Sequence, residues 1–202
     1  MQSNTYIPSE EALKFVNFLR ATGNETNVSP EVHYKIADAL FSPEKADRRI
    51  LIKCTRGLGK STLSEYAVIY AATMGKWPGF GPVPFVVFLG ASMEGNVKQF
   101  FKNVANKIER SELLRTYLTV KRQTDNELEL VNKDGVEMVI VGRGMNTNFR
   151  GLRSKTGHRP TLILADDILD NDVATSDAIK KTIETNWYNS VLPALDPMKH
   201  KV

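Results

Sequence analysis

The chain has 202 residues, 42% of them apolar and 25% charged, which fits one α/β domain, or at most one and a half, and excludes a disordered or fibrous polypeptide. A single cysteine, Cys54, excludes an intramolecular disulfide and fits a reducing compartment, and three scattered histidines, His33, His158 and His200, make no zinc site. The net charge of +4 is a mild basic bias, and its clustering suits a polyanion such as DNA or a nucleotide phosphate.

In chain order, Met1–Glu10 is polar, with no secretory signal, and no apolar run approaches the ~20 residues that span a bilayer. A soluble, cytosolic domain is expected. Pro8-Ser9-Glu10-Glu11 opens an amphipathic helix with Leu13, Phe15, Val16 and Leu19 as its stripe. After a polar loop, Gly23–Ser29, Pro30 begins a second helix over Glu31–Phe41, and Ser42–Arg49 is a charged turn. Ile50–Cys54 reads as a short buried strand, Lys60–Met74 as a helix stopped by Gly75, Trp77–Pro84 as a loop and Phe85–Leu89 as a second strand. Trp77 and Phe80 suit either a base stack or the core, whereas Phe85, Phe88, Phe100 and Phe101 read as core. Glu94–Leu118 reads as one helix whose cations form a solvated face. Glu127–Val131 and Val136–Val141, joined through Asp134-Gly135, form a hairpin. Thr161–Ala165 is a third buried strand and Thr175–Val191 a helix. Alternating strands and helices indicate an α/β fold with a mainly parallel central sheet flanked by helices, carrying a β-hairpin insertion.

Two segments carry chemistry. Cys54-Thr55-Arg56-Gly57-Leu58-Gly59-Lys60-Ser61-Thr62 matches the phosphate-loop pattern G-x-x-x-x-G-K-[ST] except at its first glycine, where Cys54 stands. Gly57 and Gly59 allow the tight bend that turns successive N–H groups toward phosphates, and the helix N-terminus adds partial positive charge. Lys60 neutralises the β and γ oxygens, and Ser61 supplies a hydroxyl for Mg²⁺. The second segment is Thr161–Asp167, an apolar strand ending in two carboxylates. Such an ending provides a magnesium acid, Asp166, and an acid that orients or deprotonates the attacking water, Asp167. Cys54 reads as a small buried strand-end residue, not a nucleophile.

The phosphate-loop run Arg56–Ser61, with an arginine inside a loop that lacks its first glycine, resembles the large terminase subunit of tailed bacteriophages. So do Arg150-Gly151-Leu152-Arg153, the run Arg159–Asp167, and Asn186–Leu195. The likeness covers roughly Pro30 to Pro197. It implies a P-loop NTPase fold of the ASCE type, with residues 1–49 as an N-terminal helical segment and 50–202 as the ATPase core. It also implies a motor that hydrolyses ATP with Mg²⁺ to push double-stranded DNA into a procapsid.

By the same resemblance Arg56 acts on the nucleotide in cis, and Arg153 or Arg150 completes a neighbour's site in trans. The adenine-contacting glutamine of relatives is matched here by His33 or Tyr34, and His33 is taken as the nucleotide contact. Many relatives have Glu where Asp167 stands. The implied partners are double-stranded DNA, a portal protein, a small terminase subunit and further copies in a ring, a pentamer during packaging, with no membrane. The implied location is the host cytoplasm at the procapsid portal. Relatives continue into a coupling motif and a nuclease domain, so the sequence is expected to be the N-terminal ATPase part. The alternatives are another P-loop translocase or helicase-like ATPase, or a nucleotide-dependent DNA-binding module without useful turnover.

Overall fold

The computed structural model describes residues 6–23, 28–44, 48–55, 57–145, 147, 149–168 and 176–202. Helices α1 (Glu10–Gly23), α2 (Glu31–Phe41) and α3 (Lys60–Met74) precede strand β1 (Phe85–Gly90). A π-helical turn, Met93–Val97, leads into α4 (Lys98–Arg110) and α5 (Glu112–Tyr117). Strands β2 (Leu118–Gln123), β3 (Glu127–Asn132), β4 (Glu137–Gly144) and β5 (Leu162–Ala165) follow. The described chain closes with α6 (Asp177–Asn186), a second π-helical turn, Trp187–Val191, and the short α7 (Leu192–Ala194).

The five strands form one sheet in the order β2-β3-β4-β1-β5. β1 pairs in parallel with β4 and β5, while β2–β3 and β3–β4 are antiparallel. The sheet is therefore mixed, where a mainly parallel one is predicted. The cause is that the hairpin is not an appendage: β4 continues to Gly144 and itself pairs with β1, so the antiparallel meander is built into the sheet. β1 is buried along its whole length, as a central strand covered on both faces must be. Its alternate residues feed two cores. Val86 and Phe88 face α1–α4, whereas Val87 and Leu89 face Met145, Phe149, Ile183 and Val191.

On the first face, α3 is buried almost all round, and Gly75 ends it in a left-handed conformation at φ 65°. Its one buried carboxylate, Glu65, is held by Lys107 of α4 at 2.7 Å and by the Asn103 amide at 2.7 Å, which satisfies a charge that burial would otherwise penalise. Tyr70 donates to Glu11 at 2.7 Å, tying α1 to α3. Burial and that carboxylate push the phenol pKa above its ordinary value. Phe15, Val16 and Leu19 are in this core as predicted, but Leu13 is 43% exposed, lying off the buried stripe. Trp77 is 1% exposed and donates its indole N–H to the Leu40 carbonyl at 2.7 Å, so it is core. Phe80 packs at the edge of the same core, with Lys199 and Arg48 over its ring.

The helix predicted over Glu94–Leu118 divides. Gly95 is non-helical at φ −91°, ψ −109°, and Ser111 leaves the helix to cap α5 by accepting from the Leu114 N–H. Leu118 then begins β2, an edge strand carrying Lys121 and Arg122, charges that discourage edge-to-edge pairing. Some cations of this region are paired with acids at the surface: Lys98 with Asp125, Lys121 with Glu137 and Arg122 with Glu127. On the second face, the helix expected over Thr175–Val191 is α6 plus the π-helical turn; residues 169–175 lie outside the described residues.

Gly142 of β4 makes a hollow for the first π-helical turn. A β-carbon there would lie 2.2 Å from Val97 Cγ1 and 2.7 Å from Phe101 Cε2. Gly142→Ala should therefore cost about 1–3 kcal/mol of stability through overpacking, read as a lower denaturation midpoint at unchanged slope.

Ile50–Cys54, predicted as a buried strand, is extended but not a strand. Leu51 is 78% exposed, and Ile52 and Cys54 are half-buried. The reason lies in what stands beside it. The tail fills the space between this segment and β5 for one rung only. Ile50 N–H donates to the Val202 carbonyl at 2.9 Å and Val202 N–H to the Arg48 carbonyl at 2.7 Å. On the other side Ile163 N–H donates to the Lys201 carbonyl at 2.9 Å, and Lys201 N–H to the Thr161 carbonyl at 2.9 Å. Beyond that rung no strand flanks β5 among the described residues, and Ala165 is exposed.

Candidate phosphate-loop site

The extended segment delivers the chain to a turn in which Gly57 and Gly59 both take positive φ, 86° and 71°. A side chain there would be strained, and at Gly57 the space where a β-carbon would stand is open to 4 Å. The result is a backbone cradle at the start of α3, whose first turn exposes N–H groups and the positive end of the helix. Lys60 folds back over the cradle and donates from Nζ to the Cys54 carbonyl at 2.9 Å. A carbonyl is a weak partner for an ammonium, and a phosphate oxygen would displace it. Ser61 is exposed at the same end, and Ser64 bonds the Lys60 carbonyl at 3.1 Å. Arg56 lies outside the described residues.

His33 reaches the cradle from α2. Its Nε2 lies 3.2 Å from the Leu58 carbonyl, which makes that nitrogen the donor. Its Nδ1 is buried with no hydrogen-bond partner among the described residues. His33 thus supports the loop backbone directly. Thr55 is exposed beside the turn, and Thr62 is half-buried one turn into α3.

A cavity of about 560 Å³ brings the two predicted segments together: Lys60 and Ser64 line it from one side, Asp166 and Asp167 from the end of β5. Asp166 is half-buried, and its N–H is tied to the Leu89 carbonyl at 3.0 Å. Asp167 is exposed and has φ 45°, the one non-glycine with positive φ among the described residues. That conformation is disfavoured for an L-residue. It is held by Asn96, whose side-chain amide donates to the Asp167 carbonyl at 3.2 Å. Asn96 is absent from the sequence-based candidates. Its signal was the Ser92–Gly95 break, where the Ser92 hydroxyl accepts from Gly95 N–H at 3.1 Å, turning the next residue toward β5. No group of three or more His, Cys, Asp or Glu stands ready to hold a metal among the described residues. A magnesium ion here would need phosphate oxygens to complete its shell, as is usual for this ion.

The arginines lie elsewhere. Phe149 and Leu152 pack into the second core, and Gly151, at φ 73°, turns the chain between them. Arg150 and Arg153 are therefore left exposed on the outside of that turn. They do not line the cavity of Lys60 and Asp166. Residues 149–159 contain no acid, yet in space Lys155 pairs with Glu127 and Glu129 of β3. The Lys155 ammonium holds the Glu129 carboxyl below its ordinary pKa range.

The Thermus phage P74-26 large terminase ATPase domain superposes on 94% of this chain with a TM-score of 0.58, at 13% sequence identity. The fold is that of a phage large terminase ATPase domain. The chain covers 65% of the length of that terminase structure. No protein-family model matches the sequence, and no curated protein does. Among the described residues no helix is long and apolar enough to cross a membrane.

Proposed function

We propose that this chain is the ATPase motor part of a DNA-packaging terminase, hydrolysing ATP to ADP and phosphate to drive double-stranded DNA into a procapsid. The observation that supports it best is the meeting of Lys60, on a glycine-built cradle, with Asp166 and Asp167 at one cavity. The terminase-like fold supplies the context.

In this reading the N–H groups of Gly57–Ser61 and the Lys60 ammonium bind the phosphates. His33 steadies the Leu58 carbonyl and is the residue assigned to contact the nucleotide. Ser61 and Asp166 would hold magnesium, which would supply neutralising charge for the phosphate oxygens. Asp167 accepts a hydrogen bond from the attacking water and orients it in line. Asn96 keeps Asp167 in the geometry that this requires. Arg56 acts in cis, and Arg153, with Arg150 as the second candidate, acts on a neighbour's nucleotide. Hydrolysis would then depend on assembly into a ring, which in a packaging terminase is a pentamer on the portal in the host cytoplasm, served by a small subunit.

The test is phosphate release with and without Mg²⁺ and duplex DNA, over a range of protein concentration. Turnover should need Mg²⁺, rise with DNA and increase more steeply than concentration. Arg153→Ala should be inactive alone and regain part of its activity when mixed with Lys60→Ala, since an intact loop then meets an intact neighbouring arginine. Failure of mixing, with both variants folded and concentrated, would remove the trans arginine. Absence of turnover in the wild-type chain under all conditions would leave a nucleotide-dependent DNA-binding module.

A further inference from the structure

We infer that Asn96 is a positioning residue for Asp167, and that α4 ties it to the phosphate-loop helix, so that the two halves of the site are set together. The water-orienting role of Asp167 rests on the proposed function; the tie does not.

Asp167 has two backbone states to choose between. At φ 45° it sits where an L-residue is disfavoured, and the nearest broad favoured region lies more than about 90° away in φ. A rotation of that size at the end of β5 re-aims the carboxylate from its present place in the cavity that Lys60 lines. Among the described residues one side chain holds the strained state: the Asn96 amide donates to the Asp167 carbonyl at 3.2 Å.

Asn96 is itself presented rigidly. The turn before it is closed by the Ser92 hydroxyl, and Gly95 leaves helical geometry there. Val97, 0% exposed, is clamped over both central strands. A β-carbon on Gly90 of β1 would lie 3.1 Å from Val97 Cγ2 and 3.5 Å from Asn96 Cβ, besides the closer approach already described at Gly142 of β4. Bare backbone at these two positions is what lets the turn come so close. Asn96 has little freedom of its own, and its position follows α4.

α4 in turn follows α3. Glu65 stands one turn beyond Ser61 and is 4% exposed. It accepts from Lys107 and from Asn103, both of α4 and each at 2.7 Å. Gln99 donates to Asn103 Oδ1 at 2.6 Å, which turns the Asn103 amide nitrogen toward Glu65. A buried carboxylate resists losing either partner, since its charge would be left uncompensated. A displacement of α3 therefore passes along α4 to Asn96 and biases which backbone state Asp167 keeps. Coupling between two places requires such a two-state element, moved from both. Phosphates that settle α3 against α4 favour the aimed state of Asp167.

Kinetics and spectra of the full chain test this separately. Asn96→Ala should lower kcat ~10–10²-fold, as misplacing a reacting group does, with nucleotide affinity unchanged. In an Asp167→Asn background the same substitution should cost nothing further, since the group it aims is gone. A loss of equal size in both backgrounds marks general damage to the fold and overturns the inference.

Residue-resolved NMR needs no turnover, so a wild-type chain without ATPase activity defeats the motor reading and leaves this one to the spectra. The carbon shifts of Asp167 report its φ. They should be left-handed in the wild type and lose that signature in Asn96→Ala and in Asn96→Asp, which keeps the side-chain shape and removes the donor. They should also move in Glu65→Gln and in Asn103→Ala, two ways of loosening α4 from α3. A left-handed Asp167 in both Asn96 variants overturns the positioning role. Asp167 shifts that stay fixed in both anchor variants overturn the tie through α4.

Discussion

Lys60→Ala should abolish ATP turnover and leave the fold intact. The Lys60 ammonium is half-buried at the mouth of the cradle, and its one described partner is the Cys54 carbonyl. Losing that bond costs the fold about 1 kcal/mol or less. Losing the charge at the β and γ oxygens removes transition-state stabilisation, an effect of about 10²–10³ or more in rate. The measurement pairs Mg-dependent phosphate release with thermal unfolding. A variant that turns over normally at normal Mg²⁺ would sink the phosphate-loop assignment, because the other described cations lining that cavity, Arg49 and Lys201, do not lie on the glycine turn.

Asp167→Asn should still bind ATP but hydrolyse it ~10²–10⁴-fold more slowly, the usual effect of removing a general base. Binding depends on the cradle, Lys60 and magnesium, none of which this substitution touches. Asparagine also tolerates positive φ well, so the backbone at 45° is preserved and the loss reports chemistry, not collapse. The pre-steady-state burst and the nucleotide affinity separate the two steps. Normal turnover in Asp167→Asn together with a dead Asp166→Asn would exchange the roles of the two acids.

How much of this was legible in the sequence follows from how local each signal is. The end of α3 at Gly75, the hairpin turn at Asp134-Gly135 and the apolar run closing on Asp166 and Asp167 are written in adjacent residues, and all three stand as read. The meeting of Lys60 with that acidic end at one cavity was legible as well, since a phosphate loop and an acidic strand end belong to one site in an α/β chain. What sequence did not reveal depends on distant partners. Ile50–Cys54 has a strand's composition but meets only one rung of neighbour, so Leu51 stays outside. β2 was not read as a strand, although all but Leu118 lies past the predicted helix, because its identity comes from pairing with β3. Asn96 looked like one more polar residue in a helix. Its role appears only once Val97 sits over Gly142 and the turn brings its amide across 71 positions to Asp167.

The rung that joins Ile50 to Val202 also sets a schedule. Its two residues are about 150 positions apart, and closing so long a loop costs about 4 kcal/mol of chain entropy before any contact repays it. The helices and the β2–β3–β4 meander need no such closure. They can condense while the approach to the phosphate loop is still untethered, as local contacts precede remote ones in general. On dilution from denaturant, helical signal should therefore return first and nucleotide affinity later. During synthesis the same order leaves the approach to the phosphate loop untethered until residues 200–202 have emerged to pair with it.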